Sequence, residues 1–379
     1  MLDACGCLNV TDSAVQWLCV GFDNLDVEKG GQCKLLEKLV LYLTKVTKKG
    51  IEMALTHLPA LKVLDHETTV EALVDMALCN KPFTLKFSLT KLWIFYATLY
   101  HWDSLWIAVS VCPMLNNIKI VINNIIGFKD SDFLCLKSIK KICELAIFEV
   151  VNGKFEVVTQ VTFRHSLAPL LKMSGNSLEK LHLSCVDTVD DIWTIIECCR
   201  NLRSLILTKI YETPKSPLEK ETSHFRTGFR NKENLILKEL NYLHCSSFNI
   251  PTEILLFLLS SPSLVSIEIA HEDGLTDNVL KDAAKIHNFH KLEKFKLIDC
   301  CAISYKGIDD ALMVDSNSLY KINVHDCKEI TLGNVFDWKT KANKKYWKLC
   351  INFWYVEIVD NNSKMRFYST DAGDYVYKY

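Results

Sequence analysis

The sequence predicts an α/β solenoid, in which a unit of one short strand and one helix is repeated along the chain. The first observation is an apolar frame, φ-x-x-φ-x-φ, which recurs twelve times in 379 residues. The second is its period, because nine of the eleven intervals between frames measure 24 to 28 residues. The third is that segments with helical spacing of apolar residues follow the frames. A period of this length is the signature of a repeat architecture.

Each frame predicts one short strand, because its two later anchors alternate and so share one buried face. The frames begin at Leu36, Leu61, Leu89, Leu115, Ile142, Leu178, Leu202, Leu237, Leu264, Leu292, Leu319 and Tyr346. A truncated frame opens the chain with Leu2 and Ala4 as its anchors. The array therefore contains 12 to 13 units.

The helical part of the unit is clearest after Thr47 and Ser304, where both segments read hydroxyl-x-x-Gly-Ile-x-x-Ala-Leu. Each hydroxyl stands where an N-cap side chain would accept a hydrogen bond from a first-turn amide. One strand and one helix cannot bury their own apolar face, so neighbouring units must stack. Because strands are narrower than helices, we expect a right-handed horseshoe with parallel strands on the concave face and helices on the convex face.

Composition excludes several classes of protein. With 44 Lys and Arg against 45 Asp and Glu, the net charge is −1, which argues against a nucleic-acid footprint. The long apolar stretch from Leu89 to Val111 is interrupted by His101-Trp102-Asp103, so we expect no membrane span. No secretory signal is visible at the start of the chain. We therefore expect a cytoplasmic, or nuclear, protein with reduced thiols.

Sixteen cysteines are unusual for such a protein, and about half of them follow the repeat. One column lies eight residues after a frame start and contains Cys7, Cys245, Cys300 and Cys327. Cys185 lies one position short of this column. A second column, three residues before a frame start, contains Cys33, Cys112 and Cys199. Small buried thiols suit tight turns, and no Cys-x-x-Cys ligand pair is present. We predict structural thiols and no metal, and we expect His287 and His290 to lie at a solvated helix end.

The unit L-x-x-L-x-L-x-x-C-x-x-I-T-D-x-x-L resembles the cysteine-containing leucine-rich repeat. Its clearest copy is Cys7-Leu-Asn-Val10-Thr11-Asp12, followed by the segment at Cys327 and by Leu275-Thr276-Asp277. The resemblance covers nearly the whole chain and implies a leucine-rich repeat solenoid. It is typical of F-box and leucine-rich repeat proteins, the substrate receptors of cullin–RING ubiquitin ligases. Since no F-box is visible, we expect contact with the ligase adaptor only if one lies upstream.

The domain organisation follows from two long intervals of 36 and 35 residues. We expect a solenoid over residues 1–353 with insertions near 150–165 and 209–233, and a cap over residues 354–379. The first insertion has the pattern of a hairpin around Asn152-Gly153. The second is a charged loop with Thr213-Pro214 and Ser216-Pro217, for which proline-directed phosphorylation stays open.

No catalytic motif is present, so we predict a non-enzymatic protein without cofactors that binds a protein partner. A thiol or metal enzyme, with Cys300-Cys301 as its reactive pair, is the weakest alternative. Side chains between and just after the anchors should face the concave side. These candidate partner-binding residues are Tyr42, Trp93, Phe95, Phe148, His182, Glu268, His271, Lys296, Asp299, Asn323, His325 and Asp326.

Two alternatives to this functional prediction stay open. Some of the aromatic candidates could pack against each other or against the first insertion. The protein could also be a free-standing scaffold or inhibitor with no ligase link, resembling ribonuclease inhibitor-like horseshoes. We expect neither nucleic acid nor membrane among its partners.

Overall fold

The chain folds into two compact units, Met1–Cys185 and Val186–Tyr379, hereafter unit 1 and unit 2. The computed structural model describes residues 1–20, 33–79, 84–94, 103–123, 129–150, 162–184, 186, 188–208, 236–246, 250–314, 318–344, 349–358, 365–369 and 375–377. Both units alternate strands with helices, as the apolar period predicts.

Unit 1 has one parallel sheet whose strands pair in chain order. Its strands are β1 (Leu2–Asp3), β2 (Lys38–Val40), β3 (Val63–Asp65), β4 (Lys91–Ile94), β5 (Asn117–Asn123), β6 (Glu144–Val150) and β7 (Lys180–Leu183). Its helices are α1 (Asp12–Val20), α2 (Lys48–His57), α3 (Thr69–Cys79), α4 (Ser104–Val111) and α5 (Ala168–Ser174). Shorter helical turns cover Asp130–Ser138, Phe163–Leu167 and Gly175–Ser177.

Unit 2 pairs six strands in parallel and then adds two antiparallel strands. Its strands are β8 (Ser204–Thr208), β9 (Tyr242–Ser246), β10 (Ser266–Ala270), β11 (Lys294–Ile298), β12 (Lys321–His325), β13 (Cys350–Ile358), β14 (Met365–Ser369) and β15 (Tyr375–Tyr377). Its helices are α6 (Val189–Cys198), α7 (Thr252–Leu259), α8 (Asp277–His287), α9 (Tyr305–Leu312) and α10 (Leu332–Lys344).

The predicted α/β leucine-rich repeat solenoid is confirmed by the register of the anchors. In unit 1, Leu39, Leu64 and Leu92 stand side by side on successive strands and are at most 2% exposed. In unit 2, Ile267 and Phe295 do the same, at 0% and 1%. Each frame thus buries its anchors against the neighbouring repeats, as units that cannot fold alone require.

Two predicted frames are wrong in register. Tyr242 pairs with Ser266, so the repeat starts at Leu240 and not at Leu237. Ile322 pairs with Ile351, so the last parallel repeat uses Ile351 and Phe353 as anchors, two residues later than predicted. The first correction moves Cys245 out of the cysteine column, because the thiol occupies an anchor position beside Ile269.

An aspartate from one repeat holds the helix start of the next, an arrangement that we call the Asp clasp. The Asp277 carboxylate accepts hydrogen bonds from the Ser304 backbone N–H at 2.7 Å and the Ser304 hydroxyl at 2.6 Å. Asp12 holds Thr47 in the same way, at 2.7 and 2.6 Å, and Asp130 holds Thr162. These charge-assisted bonds tie adjacent repeats together.

The Asp clasp explains the glycine of the hydroxyl-x-x-Gly-Ile pattern. A Cβ placed on Gly307 would lie far inside the van der Waals radius of Asp277, and one on Gly50 would meet Asp12 and Val46. The N-cap prediction is confirmed for Ser304, whose hydroxyl accepts from the Gly307 N–H. It is wrong for Thr47, whose hydroxyl makes no such bond and donates to Asp12 instead.

Five residues at one position of the repeat have left-handed backbone conformations. Gly6 (φ 72°), Leu43 (56°), His271 (55°), Asp299 (47°) and Asp326 (53°) each lie four residues after the first strand anchor. Only the first is a glycine, so the other four accept a conformation that side chains disfavour. They turn the chain away from the sheet edge.

Most residues of the two predicted insertions are not described by the structure, although residue 150 ends β6 and residues 163–165 belong to the helical turn that begins after Thr162. The hairpin around Asn152-Gly153 and the loop containing Thr213 and Ser216 lie outside the described residues, as does Cys185. At the carboxyl end, β13 spans the predicted boundary at residue 354, and β14 and β15 then pair antiparallel. The domain boundaries stay predictions.

Candidate partner-binding faces

Each sheet has two chemically different faces. Anchor side chains are buried on one of them, whereas the residues that alternate with the anchors are half-buried on the other. We call this second surface the open face. Since neighbouring repeats are in register, open-face side chains from successive strands lie in rows about 5 Å apart.

On the open face of unit 1, an aromatic pair bridges two repeats. The rings of Tyr42 and Trp93 stack with centroids 5.8 Å apart and planes 19° apart. The Lys119 ammonium lies over the Trp93 ring, 5.3 Å from its centroid, in a cation–π contact. Phe95 lies outside the described residues.

A second aromatic contact follows on the same open face. The rings of Phe148 and His182, on neighbouring strands, meet edge to face with centroids 4.2 Å apart. The structure thus brings four of the predicted residues of unit 1 into two ring contacts. Aromatic packing of one candidate on another, which the sequence left open, occurs at both.

Beside the stacked pair, three lysines lie near the Asp65 carboxylate, on which the Asp3 carboxylate also acts. Asp65 is half-buried, and its Oδ1 atom is buried without a hydrogen-bond partner. Burial raises the pKa of Asp65, and the positive charges of Lys91, Lys119 and Lys38 oppose that rise. Within the described residues, none of the three ammonium groups is within ion-pair distance of a carboxylate.

The open face of unit 2 is organised around Glu268. Its carboxylate contacts the Lys296 ammonium and lies 3.4 Å from both the Tyr242 hydroxyl and His244 Nδ1. Burial alone would raise the pKa of Glu268, but Lys296 and His244 together outweigh burial and hold it below its usual range. Burial, with the Glu268 carboxylate, raises the pKa of Tyr242.

Two further groups extend this polar network. The Asn352 amide donates to Asn323 Oδ1 at 3.0 Å across adjacent strands. Burial, together with the charge of Lys296, lowers the pKa of His325, so that its neutral form is favoured. The predicted residues Glu268, Lys296, Asn323 and His325 therefore share one continuous surface.

The remaining candidates lie at the edge of this surface. His271, Asp299 and Asp326 follow their strands in the left-handed conformation, so they lie at the rim and not among the rows of the sheet. His271 Nδ1 lies 3.1 Å from Asp299 Oδ2. Both side chains are about half exposed, at 50% and 46%.

The open-face residues that sequence reasoning missed include Lys38, Asp65, Lys91, Lys119, Tyr242, His244 and Asn352. His244 and Tyr242 were missed because the frame was started at Leu237, three residues too early. Asn352 was missed through the equivalent error in the last frame. Asp65 and Lys119 were available from correct frames, as the residues between the two strand anchors.

Most thiols of the two cysteine columns are buried in the part of the chain that the structure describes. Cys112, Cys199, Cys245, Cys300 and Cys327 are at most 1% exposed, and burial raises the pKa of Cys112 to about 12. Cys7, in contrast, is exposed. The position equivalent to Cys300 in the preceding repeat is held by the fully buried Glu272, which accepts a hydrogen bond from Ile250 N–H at 2.9 Å.

The histidine pair behaves differently from the predicted solvated helix end. His287 ends α8 and is half-buried, with Nε2 donating to the Leu259 carbonyl at 2.8 Å and Nδ1 accepting from Phe289 N–H. Its partner His290 is exposed. No cluster of three or more potential metal ligands occurs in the described part of the chain.

The fold and the open faces define the class of protein as a leucine-rich repeat solenoid. Nothing among the described helices has the length and apolar character that crossing a bilayer requires. The chain matches no protein-family model, and no curated protein matches it. Among solved structures it is similar to the complex of Rad7 and Elc1 in yeast, with 13% identity over 85% of this chain and 81% of that chain. The TM-score is 0.39, which is too low for this likeness to indicate a function for the present chain.

Proposed function

We propose that this protein is an interaction module that binds a protein partner through the open faces of its sheets. The observation that carries the proposal is the half-buried cluster of Tyr42, Trp93 and Lys119 on the open face of unit 1. Large aromatic side chains with a basic neighbour are the residues that dominate binding energy at protein interfaces.

Catalysis forms no part of this proposal. Burial raises the pKa of the Cys112 and Cys245 thiols, which disfavours the nucleophilic thiolate there, whereas the hydrogen bond with Cys300 lowers the pKa of Cys327. The Glu268 network is internally compensated, since its carboxylate is paired with an ammonium and an imidazole. Both features fit a stable recognition surface better than a reaction centre.

The finer proposal is substrate recognition in a cullin–RING ubiquitin ligase, and it rests on the cysteine-containing repeat alone. Its test is the genomic sequence upstream of Met1, followed by capture of the cullin adaptor with the extended protein. An in-frame F-box and adaptor binding would support the ligase role. A stop codon or further repeats, with no adaptor bound, would favour the free-standing scaffold or inhibitor.

The experiment on the open face compares partner capture by the wild-type protein, Trp93→Ala and Trp106→Ala. Trp106 is a matched control, because it is a half-exposed tryptophan on helix α4 and not on the sheet. We expect Trp93→Ala to raise the Kd of the captured partner by at least about 30-fold, or about 2 kcal/mol. Equal affinities of wild type and Trp93→Ala would show that this surface does not bind the partner.

A further inference from the structure

We propose that the open face of unit 1 binds an extended acidic segment of its partner, with two carboxylates spaced i and i+3. This inference rests on the proposed function and adds the chemistry of the partner. It concerns the surface formed by Tyr42, Trp93, Lys38, Lys91 and Lys119, which we call the lysine–aromatic patch.

The patch has more ammonium groups than carboxylates. Three ammonium groups lie near the half-buried Asp65 carboxylate, and the Asp3 carboxylate is the second negative charge that acts on it. In unit 2, by comparison, the Lys296 ammonium is paired with Glu268. The lysines of the patch have no such ion pair among the described residues, so a partner's carboxylates would supply the missing negative charge.

The spacing of two of these lysines also fits an acidic segment. Lys38 and Lys91 each pair in register with Val63, which lies between them on β3. Two strand spacings separate them by about 9.5 Å. A segment in the polyproline II conformation advances about 3.1 Å per residue with three residues per turn, so residues i and i+3 lie on one side about 9 Å apart. Such a segment, crossing the strands, would place one carboxylate at each lysine.

The stacked pair of Tyr42 and Trp93 would contact an apolar side chain of the partner, next to its acidic residues. Trp93 is contacted by both Tyr42 and Lys119. Single-stranded nucleic acid is the less suitable occupant, because base stacking needs a free ring face.

The test is selection of random linear peptides on the immobilised full-length protein, followed by affinity measurement with the enriched peptides. We expect enrichment of peptides with Asp or Glu at i and i+3 beside an aromatic or aliphatic residue. The double variant Lys38→Glu, Lys91→Glu should bind them about tenfold more weakly, since two exposed charge pairs are reversed. It should also select basic peptides instead.

The matched control is Lys294→Glu, Lys321→Glu, a pair at the equivalent strand position on unit 2, which should leave the affinity unchanged. Enriched peptides that are not acidic, yet are lost in Trp93→Ala, would overturn this inference and leave the proposed function intact. Peptides insensitive to Trp93→Ala, or no enrichment at all, would count against both. Tighter binding of an oligothymidylate than of any peptide would overturn the acidic segment as the occupant.

Discussion

The two units share the contacts between stacked repeats and differ on their open faces. Between repeats, unit 1 has the Asp clasp of Asp12 and Thr47, and unit 2 repeats it with Asp277 and Ser304 at nearly identical distances. On the open faces, unit 1 presents stacked aromatic rings and lysines that have no ion pair among the described residues, whereas unit 2 presents side chains paired around Glu268. Stacking dictates the residues that touch the next repeat, so chemistry specific to this protein is found on the face that stacking leaves free.

The first way to sharpen this comparison is to fill the glycine of each Asp clasp. We expect Gly307→Ala and Gly50→Ala each to lower the free energy of unfolding by about 2 kcal/mol, because the new methyl group expels the aspartate. Chemical denaturation followed by circular dichroism measures the effect. This is the largest change that we predict.

The aspartate variants separate the two units. At Gly307 the three atoms nearest to a Cβ all belong to Asp277, so Asp277→Ala should remove most of the additional cost of Gly307→Ala. At Gly50 the Val46 methyl would also be in the way, at 2.8 Å, so Asp12→Ala should rescue only in part. Strictly additive effects in unit 2 would contradict the Asp clasp as the reason for the glycine.

A second, smaller effect concerns one histidine in each unit, the buried His66 and the half-buried His287. Burial lowers the pKa of His66, which replaces an apolar anchor in unit 1, and that of His287 in unit 2. A lowered folded-state pKa means that the unfolded chain binds protons first as pH falls below about 6.5. Each histidine should therefore stabilise the fold less at pH 5 than at pH 7.

The measurement is the pH dependence of the unfolding free energy in His66→Leu and His287→Gln. Between pH 7 and pH 5 the free energy of unfolding should fall less in each variant than in the wild type, and the difference should be about 1 kcal/mol or less. His66→Leu also leaves the Thr68 N–H without its acceptor, so the slope with pH, and not the absolute stability, is diagnostic. A slope unchanged from wild type would contradict the buried neutral imidazole.

The smallest effect is expected on the open face of unit 2. Replacing Lys296 by Met should raise the pKa of Glu268 toward and beyond its ordinary value, because the ammonium that chiefly counteracts the effect of burial is then absent. Stability should change by less than about 1 kcal/mol. Titration of the labelled glutamate side chain by NMR measures the shift.

Lys294→Met is the control for that titration. The Lys294 ammonium lies over the Tyr320 ring, 5.9 Å from its centroid, and forms no ion pair with Glu268. It should leave the pKa of Glu268 unaltered. Equal shifts in both variants would mean that general surface charge, and not the Lys296 contact, lowers this pKa.

Much of the fold could be predicted from the sequence because burial enforces the anchors. A leucine that fails to reach the next repeat would leave a cavity, so positions such as Leu39 and Leu92 carry a strong signal. The register was predicted wrongly where two frames overlap. In the segment from Leu237 to Cys245, both frames have apolar residues at the required spacing. A buried thiol at an anchor position was then counted as part of the cysteine column.

The candidate site was less predictable, because it depends on contacts between repeats. Nothing in the sequence pattern indicates that Tyr42 reaches across one repeat to stack on Trp93, or that Lys119 lies over the same ring. The role of Asp277 was equally hidden, although the residue belongs to the repeat motif, since its partner is in the next unit. Alternation assigns a face to a side chain, and packing decides its neighbours.

The left-handed turns after the strands have a consequence for engineering this scaffold. Leu43, His271, Asp299 and Asp326 are held at positive φ where Gly6 shows that a residue without a Cβ is accepted. Each such side chain costs the native state about 1 kcal/mol or more. Replacing these residues with glycine would stabilise the fold, but it would also remove the His271–Asp299 contact at the rim. At these positions, a gain in stability is therefore accompanied by the loss of the side chains that form the rim.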